Sequence, residues 1–170
     1  ELQVSGMFLG DVQLAEVGIA CKEIEVLKLF SCYVVMKIAD TIDCVINYFD
    51  FSDLAAFQKL KTLFVSNMHF DSEQLDQVIA ACPNLTVLVI GHVSSDDIPG
   101  KQNIWDFTGL CRLENLRCLV LRDFKQVQHL SALPQLRCLV LDLPHLDAAN
   151  RDLLLEMVVD GCPNLELLSI

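Results

Sequence analysis

Six stretches of this chain share one pattern: an anchor residue, two residues, an aliphatic, two more residues, then two aliphatics with one residue between them. They occupy residues 21–29, 57–65, 82–90, 113–121, 133–141 and 162–170, and begin 36, 25, 31, 20 and 29 residues apart. The first reads Cys21-Lys22-Glu23-Ile24-Glu25-Val26-Leu27-Lys28-Leu29, and every anchor is Cys or a large apolar side chain. Self-similarity at such intervals marks a repeat architecture, in which each unit buries its apolar face against the next. The 170 residues are therefore expected to form one solenoid domain over residues 1–170, with a row of small cores shared between neighbours.

The spacing of the aliphatic pair sets the local structure. In Leu60-Lys61-Thr62-Leu63-Phe64-Val65 the residues Leu63 and Val65 sit two apart, so both leave one face of a short strand and Phe64 leaves the other. Such strands laid side by side make a parallel sheet, and each parallel neighbour requires a return behind it. Helical returns are expected at 71–81, 146–160 and 9–20. In the first, Asp71 or Ser72 caps the free amides, Leu75, Val78 and Ile79 fall at helical spacing, and Pro83 stops the helix. In the second, Leu154, Met157 and Val158 face the core, with Gly161 and Pro163 at the end.

A further helix is expected over 40–49, followed by a loop through 50–53. Residues 94–101 read as a polar, turn-rich insertion ahead of Trp105, the only tryptophan, and 123–132 has room for one tight turn. Leu2-Gln3-Val4 lies 25 residues before Leu27-Lys28-Leu29 and reads as half of a preceding copy, which makes seven strands. With a strand at each end, the chain is expected to be a fragment of a longer array. Its bare terminal strands offer end-to-end self-association.

Composition narrows the partners. The chain is 53% apolar with mean hydropathy +0.44, yet its apolar runs, such as Cys118-Leu119-Val120-Leu121, are only a few residues long. No membrane span is expected. A net charge of -11 repels phosphate backbones, so no nucleic-acid partner is expected. Residues 112–137 run against that balance, with Arg112, Arg117, Arg122, Lys125 and Arg137 against Glu114 and Asp123. Guanidinium forks of this kind suit an acidic or phosphorylated segment.

Eight cysteines occur without any C-x-x-C pair, which removes the usual spacing for structural zinc. Cys21, Cys82 and Cys162 fill the anchor position and are expected as packed core thiols, which places the chain in a reducing compartment, cytoplasmic or nuclear. Cys118 and Cys138 are expected side by side on adjacent strands as free thiols. His69, His92, His129 and His145 are the only candidate bases. None has a partner by spacing, and His92 beside Ser94, Ser95 and Asp96 in one loop lacks the convergent geometry of a triad. No glycine-rich phosphate loop, paired-histidine metal helix or calcium loop is present. No enzymatic activity, metal site or cofactor is expected.

If the paired aliphatics point inward, their neighbours line the opposite face of the sheet. The central column is then Gln3, Lys28, Phe64, Val89, Val120, Val140 and Ser169. One flank runs Glu1, Val26, Thr62, Val87, Cys118, Cys138, Leu167, and the other Ser5, Phe30, Ser66, Gly91, Arg122, Asp142. Phe64, Val87, Val89, Val120 and Val140 make an apolar strip of the kind that marks a protein or peptide interface. Phe30 and Phe64 are the expected anchors, with Arg122 and Asp142 setting polarity at one rim.

The pattern L-x-x-L-x-L resembles the leucine-rich repeats. Cys-Pro-Asn-Leu at 82–85 and 162–165, each after an expected helix, resembles the cysteine-containing class found in F-box proteins. That resemblance implies an α/β fold: a right-handed, ribonuclease-inhibitor-like horseshoe with a parallel concave sheet of about seven strands and helices or turns on the convex side. It also implies protein recognition, as the substrate arm of an F-box ubiquitin ligase. The alternatives it carries are an immune or signalling receptor region and a GTPase-activating protein. No F-box segment lies within these residues, so that role requires one outside them.

Overall fold

A computed structural model describes residues 1–5, 14–31, 34–35, 45–46, 50–68, 70–91, 105–122, 127–128, 133–144 and 147–170. In chain order its elements are β1 (Leu2–Ser5), α1 (Leu14–Ala20), β2 (Val26–Phe30), β3 (Val34–Val35), β4 (Val45–Ile46), a 3-10 turn (Phe51–Ala56), β5 (Thr62–Ser66) and α2 (Ser72–Ala81). There follow β6 (Val87–Gly91), β7 (Trp105–Asp106), a second 3-10 turn (Thr108–Arg112), β8 (Cys118–Arg122), β9 (Val127–Gln128), β10 (Cys138–Asp142), α3 (Ala148–Gly161) and β11 (Leu167–Ser169). Seven strands form one parallel sheet in the order β1-β2-β5-β6-β8-β10-β11.

The shared sequence pattern corresponds to a shared set of hydrogen bonds. In all six copies the amide of the fourth residue donates to the carbonyl of the anchor at 2.9–3.2 Å: Ile24 to Cys21, Leu60 to Phe57, Leu85 to Cys82, Leu116 to Leu113, Leu136 to Leu133 and Leu165 to Cys162. Each turn swings an aliphatic side chain under the sheet. One carbonyl just before the strand then accepts two amides from the next copy. Glu25 receives Lys61 and Thr62, Lys61 receives Thr86 and Val87, and Thr86 receives Arg117 and Cys118; Arg117 and Arg137 continue the series to Glu166 and Leu167. These paired bonds leave no freedom for a one-residue slip, which would turn every inward side chain outward.

The core lies along one face of the sheet. Leu63, Leu88, Leu119 and Leu139 are fully buried, as are Val65, Ile90 and Leu121, and the anchors Phe57, Cys82, Leu113, Leu133 and Cys162 join them. Returns close the same cluster, through Phe51 and Leu54, through Leu75, Val78 and Ile79 of α2, and through Leu154 and Val158 of α3. Each fully buried leucine contributes about 1.5–3 kcal/mol relative to exposure.

Capping fixes where the returns begin. Asp71 Oδ1 accepts from the Glu73 and Gln74 amides at 3.0 and 3.1 Å, while Gln74 Oε1 accepts from the Asp71 amide at 2.7 Å. Asp147 caps α3 through the Asn150 amide at 2.8 Å.

Five local expectations are corrected. Within 40–49, Val45–Ile46 is a strand paired antiparallel with Val34–Val35, because β-branched neighbours are stiff at χ1 and pack better extended; the rest of that segment lies outside the described residues. The 50–53 loop is instead the start of a 3-10 turn, with Asp50 accepting from the Ser52 amide and Gln77 Oε1 from the Phe51 amide. The 123–132 return is more than a tight turn, since Val127–Gln128 pairs in parallel with Trp105–Asp106. Met157 is only half-buried, at the margin of the cluster. Cys21 is exposed, unlike the other cysteine anchors Cys82 and Cys162: it sits in the turn that follows α1, where its amide donates to the Val17 carbonyl at 2.8 Å.

Candidate functional site

The outer face of the sheet is built by the same alternation that builds the core. In β2, β5, β8 and β10 the residues between the buried aliphatics are half-buried, and register partners carry Gln3, Lys28, Phe64, Val89, Val120, Val140 and Ser169 in one unbroken row. Val26, Thr62, Val87, Cys118, Cys138 and Leu167 form the row beside it, and Ser5, Phe30, Ser66, Gly91, Arg122 and Asp142 the row on the other side. Phe64, Val87, Val89, Val120 and Val140 are all half-buried, so their apolar surface reaches solvent on the face away from the core. Phe30 is half-buried too, while Arg122 and Asp142 are exposed.

Charged groups frame this strip at two places. On the β2 side the Lys28 ammonium lies over the Phe64 ring, 5.5 Å from its centroid, and bonds to the Glu1 carboxylate. That hydrogen bond, reinforced by the Lys28 charge, holds the Glu1 carboxyl below its ordinary range. A lysine over an exposed aromatic face contributes about 0.5–1 kcal/mol, enough to orient the ring without sealing it.

On the far side the Arg122 stem rests against Gly91. A Cβ there would lie 3.3 Å from Arg122 Cβ and 3.6 Å from its Cδ, so the glycine leaves the notch that lets the arginine lie flat. Arg122 and Asp142 are register partners, yet no salt bridge joins them among the described residues. Opposite charges are thus presented side by side at one rim.

The arginine group separates on inspection of its contacts. Arg112 pairs with Asp76 at 2.8 Å, Arg137 pairs with Glu166 at 2.9 Å, and Arg117 donates to the Glu114 and Leu116 carbonyls. Among the described residues the Arg122 guanidinium has no ion-pair or hydrogen-bond partner, whereas the other three are each engaged. Exposed ion pairs also run between neighbouring copies, Lys59 with Glu23 and Lys61 with Glu25, both at 2.6 Å. Hydrogen bonding to Lys61, with its charge, holds the Glu25 carboxyl low.

Cys118 and Cys138 are register partners on the outer face, both half-buried and both free thiols. Burial, and then a hydrogen bond with Cys138, push the Cys118 thiol up to about 12. Burial alone does the same to Cys82 in the core.

All four histidines, with Ser94, Ser95 and Asp96, lie outside the described residues. Among the described residues no group of three or more His, Cys, Asp or Glu side chains is placed to hold a metal ion, and no helix is long and apolar enough to cross a membrane. Two features of the face escaped the sequence reading: the lysine lid on Phe64 and the arginine stem over Gly91. A glycine alone in a row of larger strand residues was the available sign of the second. No protein-family model and no curated protein matches the chain.

Proposed function

We propose that the chain is a protein-recognition module, a leucine-rich repeat solenoid of the cysteine-containing class, which receives a peptide or domain of another protein on the concave side of its sheet. One observation carries this reading. Phe64, Val89, Val120 and Val140 follow one another as register partners on four adjacent strands, half-open to solvent on the face away from the core. At a strand spacing of about 4.8 Å they make an apolar strip about 14 Å long, a size that suits one to three side chains of a partner. The Lys28–Glu1 pair at one flank and the Arg122 and Asp142 charges at the rim give the strip polarity, so a partner is held in one direction.

The wider context we propose is the substrate arm of an F-box type ubiquitin ligase. Its support is the Cys-Pro-Asn-Leu sequence at 82–85 and 162–165. Recognition by a stable surface needs no chemistry from the chain, and the proposed role is binding without catalysis.

The test is affinity capture with the chain as bait, beside Phe64→Asp/Val120→Asp and a control, Leu153→Asp, on a residue 59% exposed on α3. A buried aromatic anchor contributes about 2 kcal/mol or more, so the double variant should weaken a specific partner about 30-fold or more while the control leaves it unchanged. Equal capture by all three proteins, each shown folded by circular dichroism, refutes the strip as the site. In the ligase context the chain in excess competes for substrate, and the captured protein should persist longer in cells. An unchanged half-life would remove the ligase context and leave the binding reading.

A further inference from the structure

Cys118 and Cys138 stand apart from the other described cysteines. Cys82 and Cys162 are buried anchors, and Cys21 and Cys111 are exposed outside the sheet; only Cys118 and Cys138 are register partners on neighbouring strands. Their side chains leave the face opposite the core, because Leu119 and Leu139, the next residues in each strand, are fully buried. Both residues are half-buried and both are free thiols. Two free, half-buried cysteines in register on hydrogen-bonded neighbouring strands make a candidate dithiol.

We infer that Cys118 and Cys138 form a redox-reversible pair, closing to a cross-strand disulfide when a low-molecular-weight disulfide outweighs its thiol. The distance between strands decides both halves of this statement. A disulfide spans Cα atoms 4.4–6.8 Å apart, which neighbouring strands at about 4.8 Å satisfy. It also draws Cβ atoms to within about 3.5–4.5 Å, slightly closer than side chains in register on a flat parallel sheet. The two strands must therefore approach by a few tenths of an ångström. A bond formed under that tension, on an accessible face, is the labile kind that thiols reduce readily.

One of the two cysteine thiolates attacks a sulfur of glutathione disulfide, forms a mixed disulfide and releases one glutathione thiolate. The other cysteine, as thiolate, attacks the protein sulfur of that mixed disulfide and expels the second glutathione. Two protein thiols and one glutathione disulfide become one protein disulfide and two glutathione thiols, which take up the two protons. The scarcity of Cys118 thiolate, from burial and its contact with Cys138, slows the reaction at neutral pH and makes it faster as pH rises.

This inference needs no partner, and its failure leaves the partner-binding reading untouched. The test uses the folded, unmodified chain in glutathione buffers from strongly reducing to strongly oxidising, held until the composition stops changing, then acid-quenched, alkylated and digested with trypsin. Cleavage after Arg117, Arg122, Arg137 and Arg151 isolates the two cysteines in the peptides 118–122 and 138–151. The expected result is a single mass for the two peptides joined, present in oxidising buffer and lost in reducing buffer, with Cys82 and Cys162 unmodified. Glutathione adducts without the joined peptide, or a joined peptide that persists in reducing buffer, would overturn it.

Discussion

Adjacent residues in one strand have opposite fates, and that contrast is the smallest unit of this fold. Leu119 is fully buried and Val120 half-open, one residue apart in β8. Leu119→Ala should cost about 2–5 kcal/mol through lost burial and the cavity left behind, whereas Val120→Ala should cost about 1 kcal/mol or less. Urea denaturation of the two variants decides; equal losses would mean that the alternation is misassigned.

A second residue-scale expectation concerns Cys82, whose thiol burial pushes up to about 12. Its folded value lies above the unfolded thiol value of about 8.5, so the stability linked to it is complete below about pH 8.5 and is lost as pH rises toward 12. In alkylation at pH 8 the exposed Cys21 and Cys111 should react first and Cys82 only after unfolding. Early labelling of Cys82 would contradict its place in the core.

Individual elements show what local sequence can and cannot encode. The α2 start was legible to within one residue, since Asp71 or Ser72 could cap the free amides; the structure selects Asp71, and Gln74 completes a capping box with it. Asp71→Ala should therefore cost about 1 kcal/mol in thermal or urea unfolding. The strand pair Val34–Val35 with Val45–Ile46 was not legible, because isolated apolar doublets fit a helix face as well as a strand; only pairing across the intervening segment separates them.

Gly18 is a case with no local signal at all. A Cβ on this α1 residue would stand 2.7 Å from Ala56 Cβ and 2.9 Å from Phe57 Cδ2, a contact between two successive returns. Gly18→Ala should destabilise the chain by about 1–3 kcal/mol despite its better helix propensity. A gain in stability would mean that α1 does not sit so close to the Phe51–Ala56 turn.

Over the whole molecule, burial is a property of neighbours as much as of side chains. The inward leucine of the motif is fully buried at Leu27, Leu63, Leu88, Leu119 and Leu139, but Leu168 is 39% exposed because β11 has a strand on one side only. The seven-strand order and the register of the outer rows were legible from the two-apart spacing, except that Glu1, expected at the head of one flank, precedes β1 and has no register partner. The framing of the apolar strip was less so. Lys28 reaching Glu1 and Phe64, Arg112 tied to Asp76 of α2, and Arg137 tied to Glu166 arise from side chains that meet across 27 to 36 residues of sequence.

The proposed role of the strip is tested most directly by methyl NMR of the valine- and leucine-labelled chain with a soluble paramagnetic probe, before and after adding the partner recovered by capture. Methyls of Val89, Val120 and Val140 should be strongly broadened in the free protein and protected in the complex, while those of Leu88, Leu119 and Leu139 stay sharp in both. Valine methyls that remain equally broadened with the partner bound would place recognition elsewhere on the molecule and contradict the proposed function.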